Sequence, residues 1–182
     1  MDAFEQVVAS ILQRKGYWTQ TSVKVELTKQ EKRAIGRPSS PRWELDVVGY
    51  RGASNEILVV ECKSYLDSYG VRASAFDGTD LADAKRYKLF VEENLRTVVF
   101  ARLTTQFVER GFCAPNPRIR LCLAAGKIYG DETTIAQHFE RNGWMLWTPS
   151  HLKGELEALR DSGYENFTAA VVVKLLLRGE AE

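Results

Sequence analysis

ILVVECKSY, residues 57–65, decides how this chain is read. Ile57, Leu58, Val59 and Val60 form an unbroken aliphatic run, as expected of a strand buried on both faces. Glu61 and Lys63 then place a carboxylate and an ammonium at the end of that strand. Charge at the edge of a core is costly unless it is paired, bound to a metal or used in chemistry. Strand alternation puts Glu61 and Lys63 on one face and Cys62 on the other.

Upstream, WELDVVGY (43–50) reads as a second strand, joined to the first by the turn-forming RGASN (51–55). Glu44 and Asp46 share one of its faces. Pairing Tyr50 with Ile57 places Val48 opposite Val59, Asp46 opposite Glu61 and Glu44 opposite Lys63. Opposed residues have Cβ atoms about 5 Å apart, near enough for two carboxylates to share a cation. A slip of one residue would destroy the arrangement. Close carboxylates repel unless a proton or metal intervenes. Oxygen ligands suit Mg²⁺ or Mn²⁺, which keep waters and accept a phosphate oxygen. A lysine beside the ion orients or helps deprotonate the attacking water and stabilises phosphate charge. The pattern fits phosphodiester hydrolysis; its structural alternative is an ion-pair cluster.

The chain has 182 residues, 45% hydrophobic and 27% charged. That predicts one globular domain over 1–182, with the motifs in 1–95 and further strands and helices in 96–182. A formal net charge of +1 gives no global positive field, so any basic surface is local. Cys62, Cys113 and Cys122 are odd in number and form no CxxC pair, which argues against a disulfide framework or cysteine zinc site. MDAFEQVV lacks the basic start and long apolar core of a signal peptide. FTAAVVVKLLL (167–177) is interrupted by Lys174 and too short to span a bilayer. The expectation is a cytoplasmic protein with no membrane partner.

Asp2 is placed to cap a first helix through about Lys15, ended by Gly16, with Phe4, Val7, Val8, Ile11 and Leu12 as its apolar stripe. Glu5 falls near the edge of that stripe, within reach of a cleft; a first-turn glutamate also complements the helix dipole. YWTQTSVKVEL (17–27) alternates as a strand, and TKQEKRAIGRPSSPR (28–42) reads as a mobile basic loop. Residues 81–112 read as mainly helical, with a break near Asn94 and a stop at Gly111; Val98–Phe100 fits a short strand as well. Strands are expected within 115–127 and 144–149, a helix over 131–143, and helices in the C-terminal third broken around 161–167. The order α-β-β-β-α-β-α-β-α predicts an α/β domain around a mixed central sheet.

ELD (44–46), a short turn, then ECK (61–63), after a helix carrying Glu5, resembles the PD-(D/E)XK nuclease superfamily. The flavour is that of the Mrr-type restriction endonucleases and archaeal Holliday junction resolvases, which share the early helix glutamate and the following Gly49-Tyr50. The likeness covers residues 2–63 in motif order and extends to about residue 95 in element order. It implies a restriction endonuclease-like αβββαβ core with a mixed sheet flanked by helices, plus extra C-terminal helices. Asp46 and Glu61 map onto the metal-binding acids, Lys63 onto the catalytic lysine, Glu5 onto the helical glutamate and the Cys62 backbone carbonyl onto the main-chain ligand. Leu45 stands where the family has proline, a departure that removes no chemistry. The implied activity is Mg²⁺- or Mn²⁺-dependent cleavage of duplex or branched DNA, usually by a homodimer.

Several flanking residues are candidates for nucleic-acid contact. Lys32, Arg33, Arg37 and Arg42 lie in the basic segment that enters the Asp46 strand, which otherwise reads as a solvated loop. Tyr65, Tyr69 and Arg72 directly follow the Lys63 strand and are of types that stack on or hydrogen-bond to nucleic acid; an ordinary long loop is the plainer reading. Lys127 follows a later strand, but one Gly-Lys pair is no phosphate-binding loop. His138 and His151 lack ligand spacing. Two rival functions are a nuclease fold retained for DNA binding or assembly, and a defence component held in check by a regulatory protein.

Overall fold

Asp2 opens the chain with a capping box: its side chain accepts from the Phe4 N–H at 3.0 Å, and Glu5 reaches back to the Asp2 N–H at 3.4 Å. The helix it starts, α1 (Ala3–Arg14), buries Val8, Ala9, Ile11 and Leu12. The fold is described from a computed structural model for residues 2–39, 42–163, 165 and 167–177. Strands β1 (Trp18–Val25), β2 (Trp43–Arg51) and β3 (Glu56–Lys63) form an antiparallel meander. Asn55, in the left-handed conformation at φ 44°, closes the turn between β2 and β3.

The segment expected as a mobile loop contains a short helix, α2 (Lys29–Ala34). Thr28 and Glu31 close a second capping box there, and Arg102 grips Glu31 with hydrogen bonds of 2.7–3.0 Å. Thr28-x-x-Glu31 is a helix-start signature that the polar, Gly- and Pro-containing composition outweighed.

Residues 81–112 are helical as expected, but in three pieces: α3 (Leu81–Ala84), α4 (Lys88–Val91) and α5 (Glu93–Glu109). The last break falls at Glu92, whose extended backbone ends α4 and starts α5. Val98–Phe100 lies inside α5, so the strand alternative fails. Strand β4 (Arg118–Ala125) follows, then α6 (Glu132–Arg141), β5 (Met145–Trp147), α7 (Pro149–Glu157) and α8 (Thr168–Leu177). No helix among the described residues is long and apolar enough to cross a membrane.

The five strands lie in sequence order, with β3, β4 and β5 parallel. The result is an α/β fold around one mixed sheet with helices packed on it. Ile57, Val59, Leu121 and Leu123 face a large core shared with α5 and α6, whereas Leu58, Val60 and Cys122 face a smaller core under α1 and α7. Val47 and Gly49 also face α1. A Cβ on Gly49 would lie 3.1 Å from Tyr17 Cδ1 and 3.4 Å from Leu12 Cδ1, so glycine lets α1 approach β2.

At the far end of β3, the side chain of Glu56 is buried, with only 4% exposure. It accepts hydrogen bonds from the Tyr17 hydroxyl at 2.5 Å and from Arg51 Nη2 at 3.2 Å, and the Arg51 guanidinium covers the Tyr17 ring. Tyr17→Phe removes one partner of this buried carboxylate and should cost about 1–3 kcal/mol, read as a lower urea midpoint. Burial first, and Glu56 second, push the Tyr17 phenol up to about 12. The fold therefore favours the protonated phenol. This contribution is complete below pH ~10 and is lost as pH rises towards 12. Wild type should lose more stability over that alkaline window than Tyr17→Phe does; equal loss would refute the role given to this phenol.

Candidate active site

The expected register is present: Tyr50 pairs with Ile57 and Val48 with Val59. The ladder then stops at Val47 and Val60, one pair short of Asp46 and Glu61. Beyond it, β3 continues beside β4 as far as Lys63 and Ala125, while β2 turns away with β1. The core assignments register the turn. Leu45 and Val48 belong to the large core and Val47 to the small one, although Leu45 and Val47 would share a face in a regular strand. The break in alternation falls at Asp46. Opposite it on β1 stands Ser22 with φ 51°, and this pair alone is skipped between Thr21–Val47 and Val23–Leu45.

Asp46 bridges the parting strands. Its Oδ2 accepts the Cys62 backbone N–H at 2.7 Å, taking the place of a ladder bond. Lys63 Nζ lies 2.7 Å from Glu61 Oε1, with both side chains less than one-fifth exposed. The expected pair of Glu44 with Lys63 is not formed: the ladder ends before it, Lys63 turns to Glu61, and Glu44 is exposed.

The site is anionic. Burial is the largest cause lifting Glu5, Asp46 and Glu61 above their ordinary carboxylate values, and the acids reinforce it: Asp46 acts on Glu5, and both act on Glu61. The Cys62 N–H and Lys63 oppose the rise at Asp46. Burial would lower the Lys63 ammonium, but Glu61 and Asp46 outweigh it and hold the group above its usual value. Burial and the same three acids push the Cys62 thiol far up, so it is no nucleophile.

Three carboxylates facing one ammonium leave room for further positive charge, and their hard oxygens suit Mg²⁺ or Mn²⁺. Among the described residues, no three His, Cys, Asp or Glu side chains are gathered closely enough to hold an ion by themselves. Glu61 is instead held by Lys63, and Asp46 by the Cys62 N–H.

The flanking candidates divide. Arg37 is committed to Glu92, with Nη2 at 2.7 Å from both oxygens, and its guanidinium covers Trp43. It anchors the α2 segment to the α4–α5 junction. Arg42 lies 3.8 Å from exposed Glu26, Arg33 is exposed, and Lys32 sits in the last turn of α2. Tyr65, Tyr69, Arg72 and Lys127 come together at the carboxyl ends of β3 and β4. The Gly126 N–H donates to the Lys63 carbonyl, Val71 N–H to the Lys127 carbonyl, and Tyr129 N–H to the Val71 carbonyl. Tyr129 was not among the sequence candidates; its only sequence signal is its place just after Lys127.

No family model and no curated protein matches the chain. A solved structure, a protein of unknown function designated AF1548, is similar at 18% identity over 98% of this chain and 78% of that one, with a TM-score of 0.44.

A Cβ on Gly126 would lie 2.3 Å from the Ser64 carbonyl oxygen, so the chain behind Lys63 tolerates only glycine there. Gly126→Ala should displace Ser64 and destabilise the fold by about 1–3 kcal/mol. Gly154→Ala, in α7 with open space around it, should be neutral or stabilise by up to ~1 kcal/mol. Urea denaturation of the two variants checks the contrast.

Proposed function

We propose that this protein is a metal-dependent nuclease with a restriction endonuclease-like core, hydrolysing phosphodiester bonds in DNA. The observation that carries the reading is the meeting of Asp46, Glu61 and Lys63, with Glu5 alongside, where β2 parts from β3. Buried charge at the end of a central strand must be paired, bound to a metal or used in chemistry. Motif order ELD then ECK, the antiparallel meander and the parallel β4 after a helical crossover all agree with that core.

Asp46 and Glu61 would hold Mg²⁺ or Mn²⁺, with Glu5 and the Cys62 carbonyl as further ligands. The bound ion supplies Lewis-acid activation of the phosphate and of a water. Asp46 is oriented by the Cys62 N–H, and this fixes one oxygen while leaving the other for ligation. Lys63, held by Glu61, presents its ammonium where a water or phosphate oxygen enters the cleft and stabilises the charge that develops there. Duplex or branched DNA as substrate and a homodimer as the acting unit belong to the same proposal, since one such site cuts one strand.

A second reading, a nuclease-like scaffold kept for binding, is favoured by the lack of a ready three-ligand group among the described residues. Metal binding separates the two. Calorimetry should find Mn²⁺ bound by wild type, if necessary with a non-cleavable duplex present, and not by Asp46→Asn. Lys63→Ala should lower cleavage by about 100-fold or more while the protein stays folded. Metal binding untouched by Asp46→Asn, with cleavage untouched by Lys63→Ala, would sink the mechanism.

The basic segment gives a separate expectation. Arg33→Ala should leave stability unchanged and reduce the salt dependence of DNA binding by about one phosphate. Arg37→Ala strands Glu92 and should lower the urea midpoint instead. Anisotropy titrations at several salt concentrations, beside denaturation curves, check both.

A further inference from the structure

Immediately beyond Lys63 the surface opens into a polar cleft of about 430 Å³ lined by Tyr65, Tyr69, Arg72, Asp80, Asp83 and Arg86. Its acids are occupied. Asp80 caps α3 by accepting the Ala82 and Asp83 N–H groups at 3.1 and 3.0 Å, and Asp83 lies 3.6 Å from Arg86. Arg86 also donates to the Tyr65 hydroxyl at 3.5 Å.

Arg86, which lines the same cleft, has a carboxylate partner, whereas Arg72 has none among the described residues. Its guanidinium is held by two rings, 5.4 Å from the Tyr69 centroid and 4.8 Å from that of Tyr129. Both tyrosines are themselves open to solvent, at 74% and 57% exposure. Aromatic faces and an unneutralised fork of N–H donors are thus displayed side by side.

The platform is rigidly tied to the candidate active site. Val71 and Ile128 form a parallel bridge between the two segments that carry Tyr69, Arg72 and Tyr129. The second segment begins at Gly126, which is hydrogen-bonded to the Lys63 carbonyl. Stacked aromatics beside a cation are what unpaired nucleotides need, because every base has a π face and every nucleotide a phosphate. A duplex hides its base faces.

We infer that Tyr69, Arg72 and Tyr129 form a binding site for an unpaired nucleotide, its base stacked on a tyrosine and its phosphate on Arg72. The inference rests on the nuclease reading for its meaning: it names as preferred substrate a polynucleotide with a single-stranded segment next to the cleaved bond.

The test is binding without catalysis. Labelled oligothymidylate and oligouridylate of about 12 nucleotides, and a blunt duplex, are titrated by fluorescence anisotropy in EDTA against wild type, Tyr69→Ala, Tyr129→Ala, Tyr129→Phe and Arg72→Ala. Single strands should bind more tightly than the duplex. Each tyrosine-to-alanine change should weaken them about tenfold, and Tyr129→Phe should not. Arg72→Ala should also lower the salt slope by about 0.7. Comparison of the two oligonucleotides tells whether DNA or RNA is the ligand. Tighter duplex binding, or single-strand binding indifferent to Tyr69, Tyr129 and Arg72, overturns the site. Failure of the nuclease reading would appear instead as no cleavage by wild type with Mn²⁺, whatever the binding.

Discussion

The hydrogen bond from the Cys62 N–H to Asp46 is the contact on which this end of the molecule depends. A sheet whose strands part leaves backbone donors without partners, and a buried unsatisfied N–H is expensive. Here the missing acceptor is replaced by a carboxylate from the departing strand. One residue thereby closes the split and is fixed in place within it. The cost is a charge in a partly buried position, which Glu61 and Glu5 increase and Lys63 offsets.

The split is stable because both sides of it are packed. Leu45 and Val23 swing together into the large core, while Val60 and Cys62 stay with α1. The capping box holds Glu5 where its charge is felt by Glu61, while serving its ordinary purpose of satisfying the first turn of α1. Glu5 and Asp46 therefore each satisfy a backbone N–H while adding charge to the same site. A substitution at either changes helix or sheet geometry along with charge.

Much of this was legible in the sequence, and the exceptions have physical causes. The register from Tyr50–Ile57 to Val47–Val60 followed from a turn of fixed length, whereas the pairing of Asp46 with Glu61 expected beyond it is replaced by the bond from the Cys62 N–H to Asp46. What no alternation pattern carries is the place where a ladder ends. Ser22 at positive φ is not a residue whose type announces that conformation, and it sits opposite the break. Hence Glu44 was expected beside Lys63 and is not. The α2 helix was readable from Thr28 and Glu31 but was obscured by the glycine and prolines that follow. Arg37 and Arg102 appear in sequence as two more cations; only the fold reveals that each already has a carboxylate. Tyr129 comes beside Arg72 through a parallel bridge between distant segments, a relation with no local signature.

The topology also orders events in time. β3 meets β2 across a short turn but meets β4 only after the whole 64–117 crossover has been made. Contacts of low sequence separation form at little loop-closure cost, and distant parallel pairings form later. Asp46 and the Cys62 N–H thus come within reach of each other once the first hairpin forms. Gly126, which backs Lys63, arrives only when β4 docks. On a ribosome, the hairpin of β2 and β3 would therefore be complete many residues of synthesis before the strand that backs Lys63 emerges.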